Sequence, residues 1–183
     1  MPTFVALLRG VNVGKAKRVP MAEFRRLLEG LGYTGVATLL NSGNAVFRCS
    51  KRASAAARIA ADIAAAIKDQ LEVDVPVIVM STTTLAAIVS QNTVHAEAAD
   101  HPRLLVALVQ DAKALAGLSS VEALVVPPER FAVGKHAAYL LCANGILESK
   151  AGDALLGKAG RSVTSRNWAT VLKLQAMARA GEA

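Results

Sequence analysis

The stretch Val36-Ala-Thr-Leu-Leu-Asn-Ser-Gly-Asn-Ala-Val-Phe-Arg-Cys49 contains two short β-compatible runs separated by turn-forming residues. Asn and Gly tolerate positive φ angles, which a tight turn between antiparallel strands requires. The stretch therefore predicts a β-hairpin, with strands at Val36–Leu40 and Ala45–Cys49 and a turn at Asn41–Asn44.

One amphipathic helix is predicted on each side of this hairpin. Apolar residues recur at helical spacing from Met21 to Leu31, and isoleucines recur every fourth residue within Ala53–Leu71. Apolar runs at Thr3–Leu8 and Val73–Met80 predict one strand before the first helix and one after the second. The resulting order is β-α-β-β-α-β, which is typical of a ferredoxin-like unit.

The second half of the chain predicts a looser version of the same unit. Apolar strands are expected at Arg103–Val109 and Ala137–Cys142, short strands at Ala123–Val126 and Glu129–Val133, and a long helix at Arg166–Ala180. We therefore expect an α+β fold of two ferredoxin-like β-α-β-β-α units, with antiparallel sheets and helices packed on one face.

The predicted domain organisation follows from these patterns. Residues 1–90 form the first ferredoxin-like unit, and residues 103–183 form the second, looser α+β unit. Residues 91–102 have mixed polarity without periodicity, which indicates a linker.

The basic residues are concentrated toward the two ends of the chain. The formal net charge is +7, from 21 Lys and Arg against 14 Asp and Glu. Residues 1–52 carry nine basic and two acidic side chains, residues 53–130 five and nine, and residues 131–183 seven and three. A positive surplus favours anionic partners without identifying one. We expect both ends of the chain to contribute to one basic face.

The segment Arg9-Gly-Val-Asn-Val-Gly-Lys15 combines glycines and a lysine between a strand and a helix, as phosphate-binding loops do. It is not a Walker A motif, because three residues rather than four separate Gly10 from Gly14, and alanine follows the lysine. Arg9, Asn12 and Lys15 are candidate anion contacts. The alternative is that the glycines and Asn12 only shape the backbone of the loop.

The predicted hairpin turn supplies two further candidates, Asn41 and Asn44. Their amides both donate and accept hydrogen bonds, and the strand order permits them to lie at the same sheet edge as the Arg9 segment. Turn geometry alone also explains both asparagines.

The segment Thr164-Ser-Arg-Asn-Trp168 predicts the start of a helix, with Thr164 or Ser165 as N-cap. Free N–H groups at a helix start favour an anion, so Arg166, Asn167 and Trp168 are candidate ligand contacts. Core anchoring is the preferred alternative for Trp168, and pairing with a carboxylate is the alternative for Arg166.

No recognised catalytic or metal-binding motif is present. The three histidines do not lie beside a nucleophile motif, and Cys49 and Cys142 lack the spacing of a zinc site. We expect neither a metal nor a cofactor. The widely separated cysteines and the absence of a signal-peptide pattern predict a cytoplasmic protein that does not enter a membrane.

Three separated motifs resemble a known family. They are Ala6–Gly14, Leu40–Asn44 and Thr164–Leu174, and the similarity covers nearly the whole chain, with Ser165 and Ala169 as the main departures. The chain resembles the uncharacterised bacterial family called domain of unknown function 1697. This resemblance implies an α+β fold of ferredoxin-like units, and it implies no established activity or catalytic residue.

The sequence leaves three functional hypotheses. The first is a non-enzymatic binding protein whose basic face takes a nucleic acid or another phosphate-bearing ligand. The second is a small enzyme that acts on an anionic metabolite, and the third is a protein-interaction module with an exposed sheet edge. The aromatic motif of RNA-recognition modules is missing, so readout by base stacking is not expected. The sequence does not define the oligomeric state.

Overall fold

The computed structural model describes residues 1–15 and 17–181, which divide into two compact units. The first comprises Met1–Leu85 with the end of the chain from Leu174, and the second comprises Ala86–Lys173. These bounds differ from the predicted domains. Residues 91–102, predicted as a linker, fall inside the second unit, where Ala98–Arg103 form a 3-10 helix. This helix is short and buries none of its residues, so its sequence shows no apolar periodicity from which a helix could be predicted.

The first unit has the predicted β-α-β-β-α-β order. Its strands are β1 (Thr3–Leu8), β2 (Thr34–Leu39), β3 (Asn44–Arg48) and β4 (Val77–Ser81), and its helices are α1 (Met21–Gly30) and α2 (Ala56–Leu71), the latter preceded by a 3-10 turn at Ala53–Ala55. The strands pair antiparallel in the order β2-β3-β1-β4, and Thr34–Arg48 form the predicted hairpin.

The core of the first unit lies between the two helices and one face of the sheet. Phe24 of α1 and Ile63 of α2 are fully buried in the same apolar cluster as Phe4 and Phe47 of the central strands. The Phe47 ring stacks on Tyr33, with 4.7 Å between ring centroids, and on Phe4, with 6.0 Å. The predicted packing of helices on one face is therefore confirmed for this unit.

The second unit repeats the same sheet with shorter helices. Its strands are β5 (Leu104–Leu108), β6 (Arg130–Val133), β7 (Ala137–Leu141) and β8 (Thr164–Asn167), its short helices are α4 (Ser119–Glu122) and α5 (Lys150–Leu156), and it has 3-10 helices at Ala98–Arg103, Ala112–Leu118 and Ile146–Glu148. The antiparallel order is β6-β7-β5-β8, which matches the first sheet strand for strand. The α+β, ferredoxin-like fold is thus confirmed.

Helix α3 (Thr82–Ser90) follows β4 directly, and helix α6 (Trp168–Ala180) follows β8 directly. At each junction the last strand residue caps the helix, because its side chain accepts a hydrogen bond from the backbone N–H three residues later. The Ser81 Oγ–Thr84 N distance is 3.2 Å, and the Asn167 Oδ1–Thr170 N distance is 2.9 Å.

This arrangement corrects the predicted helix start at residues 164–168. Thr164–Asn167 are strand β8, paired with β5, so neither Thr164 nor Ser165 is the N-cap, and the helix begins at Trp168 rather than Arg166. The run has no apolar alternation to indicate a strand. Its backbone bonds come from β5, which is more than 50 residues away in sequence.

The predicted strand at Ala123–Val126 is also wrong. Ala123 N donates to Ser119 O, and Leu124 N donates to Val121 O, so the segment continues the turn that ends α4. Its β-branched residues favour a strand, but local helical bonding overrides that preference.

Among the helices of the described chain, none combines the length and apolar character that crossing a lipid bilayer requires.

Candidate anion-binding loop

The connection between β1 and α1, Arg9–Pro20, is the most basic segment of the first unit, and we call it the basic loop. It contains two lysines and two arginines and no acidic residue. The side chains of Lys15, Lys17 and Arg18 are exposed, and Arg9 is half-buried. Like charges at this density repel one another, which favours an anionic ligand between them.

The Asn12 side chain holds the basic loop in place. Its Nδ2 donates to Val19 O at 2.9 Å and to Asn41 O at 2.7 Å, and its Oδ1 accepts from Val19 N at 2.9 Å. Asn12 N also donates to Lys17 O at 3.1 Å. The amide predicted to read a ligand is therefore engaged with backbone groups, and it fixes the loop and joins it to the hairpin turn.

The hairpin turn, Leu40–Gly43, lies against the basic loop, as the predicted shared sheet edge requires. Leu8 N donates to Gly43 O at 2.8 Å. Gly43 has a φ of +76°, and a Cβ there would stand 2.5 Å from the Leu8 Cβ and 2.9 Å from the Val11 Cγ2 of the basic loop, so no other residue fits. The close approach of loop and turn thus depends on this glycine.

The two asparagines of the turn have different surroundings. Asn44 is fully buried, and its Nδ2 donates to Leu39 O and to Ser42 Oγ, each at 2.9 Å. Asn41 is exposed, and its backbone carbonyl accepts from Asn12. Asn44 therefore stabilises the hairpin from inside, whereas the Asn41 side chain is at the surface.

Ion pairs neutralise other basic residues of this unit. Arg25 pairs with Glu29 at 2.9 Å, and Arg26 pairs with Glu23 at 2.7 Å, so both carboxylates of residues 1–52 are engaged within α1. Lys51 and Arg58 share Asp62, and the Lys51 hydrogen bond is the main reason that the pKa of Asp62 lies below its usual range. Within the described residues, no ion pair includes Lys15, Lys17 or Arg18.

The remaining candidates, Arg166, Asn167 and Trp168, lie in the second unit. Arg166 is a strand residue opposite Val106, its Nη1 donates to Ser165 O at 2.8 Å, and burial lowers its pKa to about 10. Asn167 caps α6, and the half-buried Trp168 meets the Tyr139 ring edge to face, with 6.5 Å between centroids. That the two candidate groups share one face stays a prediction.

Sequence reasoning missed several features. Lys17 and Arg18 extend the cationic run of the basic loop, and the signal was available in the charge pattern. A cavity of about 450 Å³ in the second unit is bordered by Glu122, Glu129 and Arg130, which no motif connects.

The described part of the chain contains no cluster of three or more His, Cys, Asp or Glu suited to a metal ion, and both cysteines are buried free thiols.

Known proteins identify the fold and the family of this chain. No match was found among curated proteins. A solved structure of a conserved bacterial protein from Streptococcus pneumoniae is 23% identical over 97% of this chain and 98% of that chain, with a TM-score of 0.79, which shows a shared fold. Residues 1–139 match a family described as protein of unknown function, and the chain accordingly belongs to the DUF1697 family.

Proposed function

We propose that the protein is a non-enzymatic binding protein that takes a nucleic acid, or another phosphate-bearing ligand, on the basic loop. The observation that carries this proposal is the exposure of Lys15, Lys17 and Arg18 on a loop that Asn12 fixes. Because the Asn12 hydrogen bonds already order the loop backbone, a ligand pays less conformational entropy for binding to these cations.

The aromatic residues of the first unit indicate how a nucleic acid is contacted. Phe4, Phe24, Phe47 and Tyr33 are all buried, so their rings do not present faces to bases. Stacking platforms are the usual means of holding unpaired bases. The proposed contact is therefore with phosphates, and it depends on charge rather than on base sequence.

We propose Arg166, in the second unit, as a further contact for a phosphate group. Its pKa of about 10 keeps the guanidinium charged at neutral pH, and its partly buried position gives it a lower-dielectric setting than the loop lysines. The buried state of both free cysteines fits our proposal of a cytoplasmic, reducing environment.

The test is a binding titration of a fluorescent single-stranded oligonucleotide at increasing salt concentrations. The triple variant Lys15→Ala/Lys17→Ala/Arg18→Ala is expected to weaken binding at least about tenfold. It should also reduce the magnitude of the log–log salt slope by about 2, because each single-strand phosphate contact contributes roughly 0.7.

The matched control is Lys113→Ala/Lys135→Ala/Lys158→Ala, which removes the same charge from three exposed positions of the second unit. Its affinity should stay within about threefold of the parent, because none of the three lysines belongs to the basic loop. Absence of binding at low salt, or equal losses in the two triple variants, contradicts the proposal. The double variant Arg9→Ala/Arg166→Ala then measures how much those two arginines contribute to the affinity for the oligonucleotide.

A further inference from the structure

The backbone of the basic loop alternates between two conformations. Gly10, Asn12 and Gly14 have φ angles of +65°, +58° and +63°, whereas Val11 and Val13, between them, do not have positive φ. A turn whose residues alternate between positive and non-positive φ can aim successive N–H groups toward one side, and such a concave group of donors, called a nest, binds anions. Asparagine is one of the few residues other than glycine that adopts a positive φ readily.

The hydrogen bonds of the loop leave these N–H groups available. The N–H groups before the nest are used, since Leu8 N donates to Gly43 O and Arg9 N donates to Pro76 O at 3.0 Å. Asn12 N is used as well. Within the described chain, no acceptor is found for a second set of N–H groups, those of Gly10, Val11, Val13, Gly14 and Lys15. Backbone donors in a folded protein require water or a ligand as partner.

The surroundings of these donors match a phosphate group. Lys15 is within the nest segment, and Lys17 and Arg18 follow it in the same loop. All three cations are exposed. Hydrogen bonds from N–H groups to an ionised acceptor are shorter and stronger than neutral ones, and nearby cations reinforce them. The Asn12 bonds to Val19 and Asn41 hold the donors before any ligand arrives.

We infer that the backbone N–H groups of Gly10, Val11, Val13, Gly14 and Lys15 form a preformed seat for one phosphate group. This inference rests on the proposed function and deepens it, because it assigns recognition to the backbone and limits the lysines to reinforcement. The ligand chemistry is a phosphate, either the diester of a nucleic-acid strand or the terminal monoester of a strand or a small molecule.

Backbone geometry can be tested without changing charge. At Gly14 an added Cβ meets nothing within 4 Å, and the same holds at Gly32, where φ is +82°. Gly14→Ala and Gly32→Ala therefore introduce comparable backbone strain without a steric clash. Only Gly14 lies in the seat. The pair thus separates the geometry of the seat from a general effect on stability.

The first measurement is a ¹⁵N NMR titration with inorganic phosphate. The amide signals of residues 10, 11, 13, 14 and 15 should move most in the parent, and titration with chloride at equal ionic strength should not move them. Gly14→Ala keeps its N–H group but disfavours the φ of +63° that aims the seat donors, so it should weaken phosphate binding about tenfold, whereas Gly32→Ala should change it less than twofold. If Gly14→Ala does not fold, the titration of the parent still tests whether phosphate binds at the seat amides.

The second measurement compares oligonucleotides with and without a 5′-phosphate. Tighter binding of the phosphorylated strand assigns the seat to a monoester, and equal binding assigns it to a diester. Salt-dependent oligonucleotide binding with unmoved seat amides overturns the seat but leaves the proposed function standing. Moved seat amides without oligonucleotide binding support the seat and overturn the nucleic-acid function. Equal losses in the two glycine variants also overturn the seat.

Discussion

The two units share one sheet topology but differ in the connection that follows their first strand. In the first unit, the twelve residues Arg9–Pro20 separate β1 from α1. In the second, only residues 109–111 separate β5 from a 3-10 helix, and Asp111 caps that helix by accepting from Lys113 N at 3.0 Å. One connection is long and basic, and its counterpart is short and ends in a carboxylate. The sheet tolerates both, so the candidate site belongs to the loop rather than to the fold.

The helices make a second contrast. Helices α1 and α2 have 10 and 16 residues, whereas α4 and α5 have 4 and 7. Both sheets nevertheless pair their strands in the same order. Strand pairing therefore defines the architecture, and the helical layer requires only enough apolar side chains to cover one sheet face.

The largest expected effect tests whether the two cores are equally important. Phe47→Ala removes a fully buried ring that contacts two aromatic neighbours, and it should cost about 3–5 kcal/mol of unfolding free energy. Leu140→Ala, its counterpart in the second core, should cost about 2–4 kcal/mol. Urea denaturation followed by circular dichroism measures both. A cost below about 1 kcal/mol at either position contradicts the burial.

The next effect compares the two connections after the first strands. Asn12→Ala removes three side-chain hydrogen bonds and should cost about 2–3 kcal/mol. Asp111→Ala removes one capping bond at an exposed helix start and should cost about 1 kcal/mol. The same urea denaturation compares these two variants. Equal costs would show that the basic loop is not held more firmly than the short connection.

The smallest effect concerns the two tyrosines, one in each unit. Tyr139 OH donates to Ile88 O at 2.6 Å, so Tyr139→Phe should cost about 1 kcal/mol. Tyr33 OH makes no hydrogen bond to the described residues, so Tyr33→Phe should cost less than about 0.5 kcal/mol. Thermal unfolding at neutral pH measures the pair, and the reverse ranking contradicts the assigned hydrogen bond.

The same tyrosines predict the alkaline limit of stability. Burial raises the pKa of each from 10.0 to about 12. The unfolded chain therefore loses these protons first, so the stabilising contribution is complete below pH 10 and disappears as pH rises through 12. The free energy of unfolding is measured at pH 9 and at pH 11. Its decrease between these two pH values should be smaller in either Tyr→Phe variant than in the parent.

The sequence predicted the first unit well because its signals are local. Helical spacing over α1 and α2 and the turn chemistry of Asn41–Asn44 each depend on a few neighbouring residues. Strand β8 was missed because Thr-Ser-Arg-Asn carries no apolar pattern, and its pairing partner β5 is distant in the chain. Secondary structure specified by long-range pairing leaves little trace in a single segment.

The candidate site was predicted in part. The sequence identified Arg9, Asn12 and Lys15 as candidates, and its strand order permitted the hairpin turn to lie at the same sheet edge. It did not distinguish Asn12 and Asn44, whose amides bond to the protein itself, from residues that present their side chains at the surface. That distinction depends on which carbonyl groups the folded backbone brings near, and no spacing rule contains it.

The direct junctions of β4 with α3 and of β8 with α6 have a consequence for chain length. One residue inserted between Asn167 and Trp168 would rotate α6 by about 100° relative to its strand, because each helical residue advances by that angle. Such a rotation moves Val171, Leu174 and Ala178 from the buried side of the helix toward solvent. The basic loop has no helical phase to preserve, so the fold should tolerate an insertion or deletion in the loop that it would reject at either junction. A change of length within residues 10–15 would instead disrupt the proposed phosphate seat.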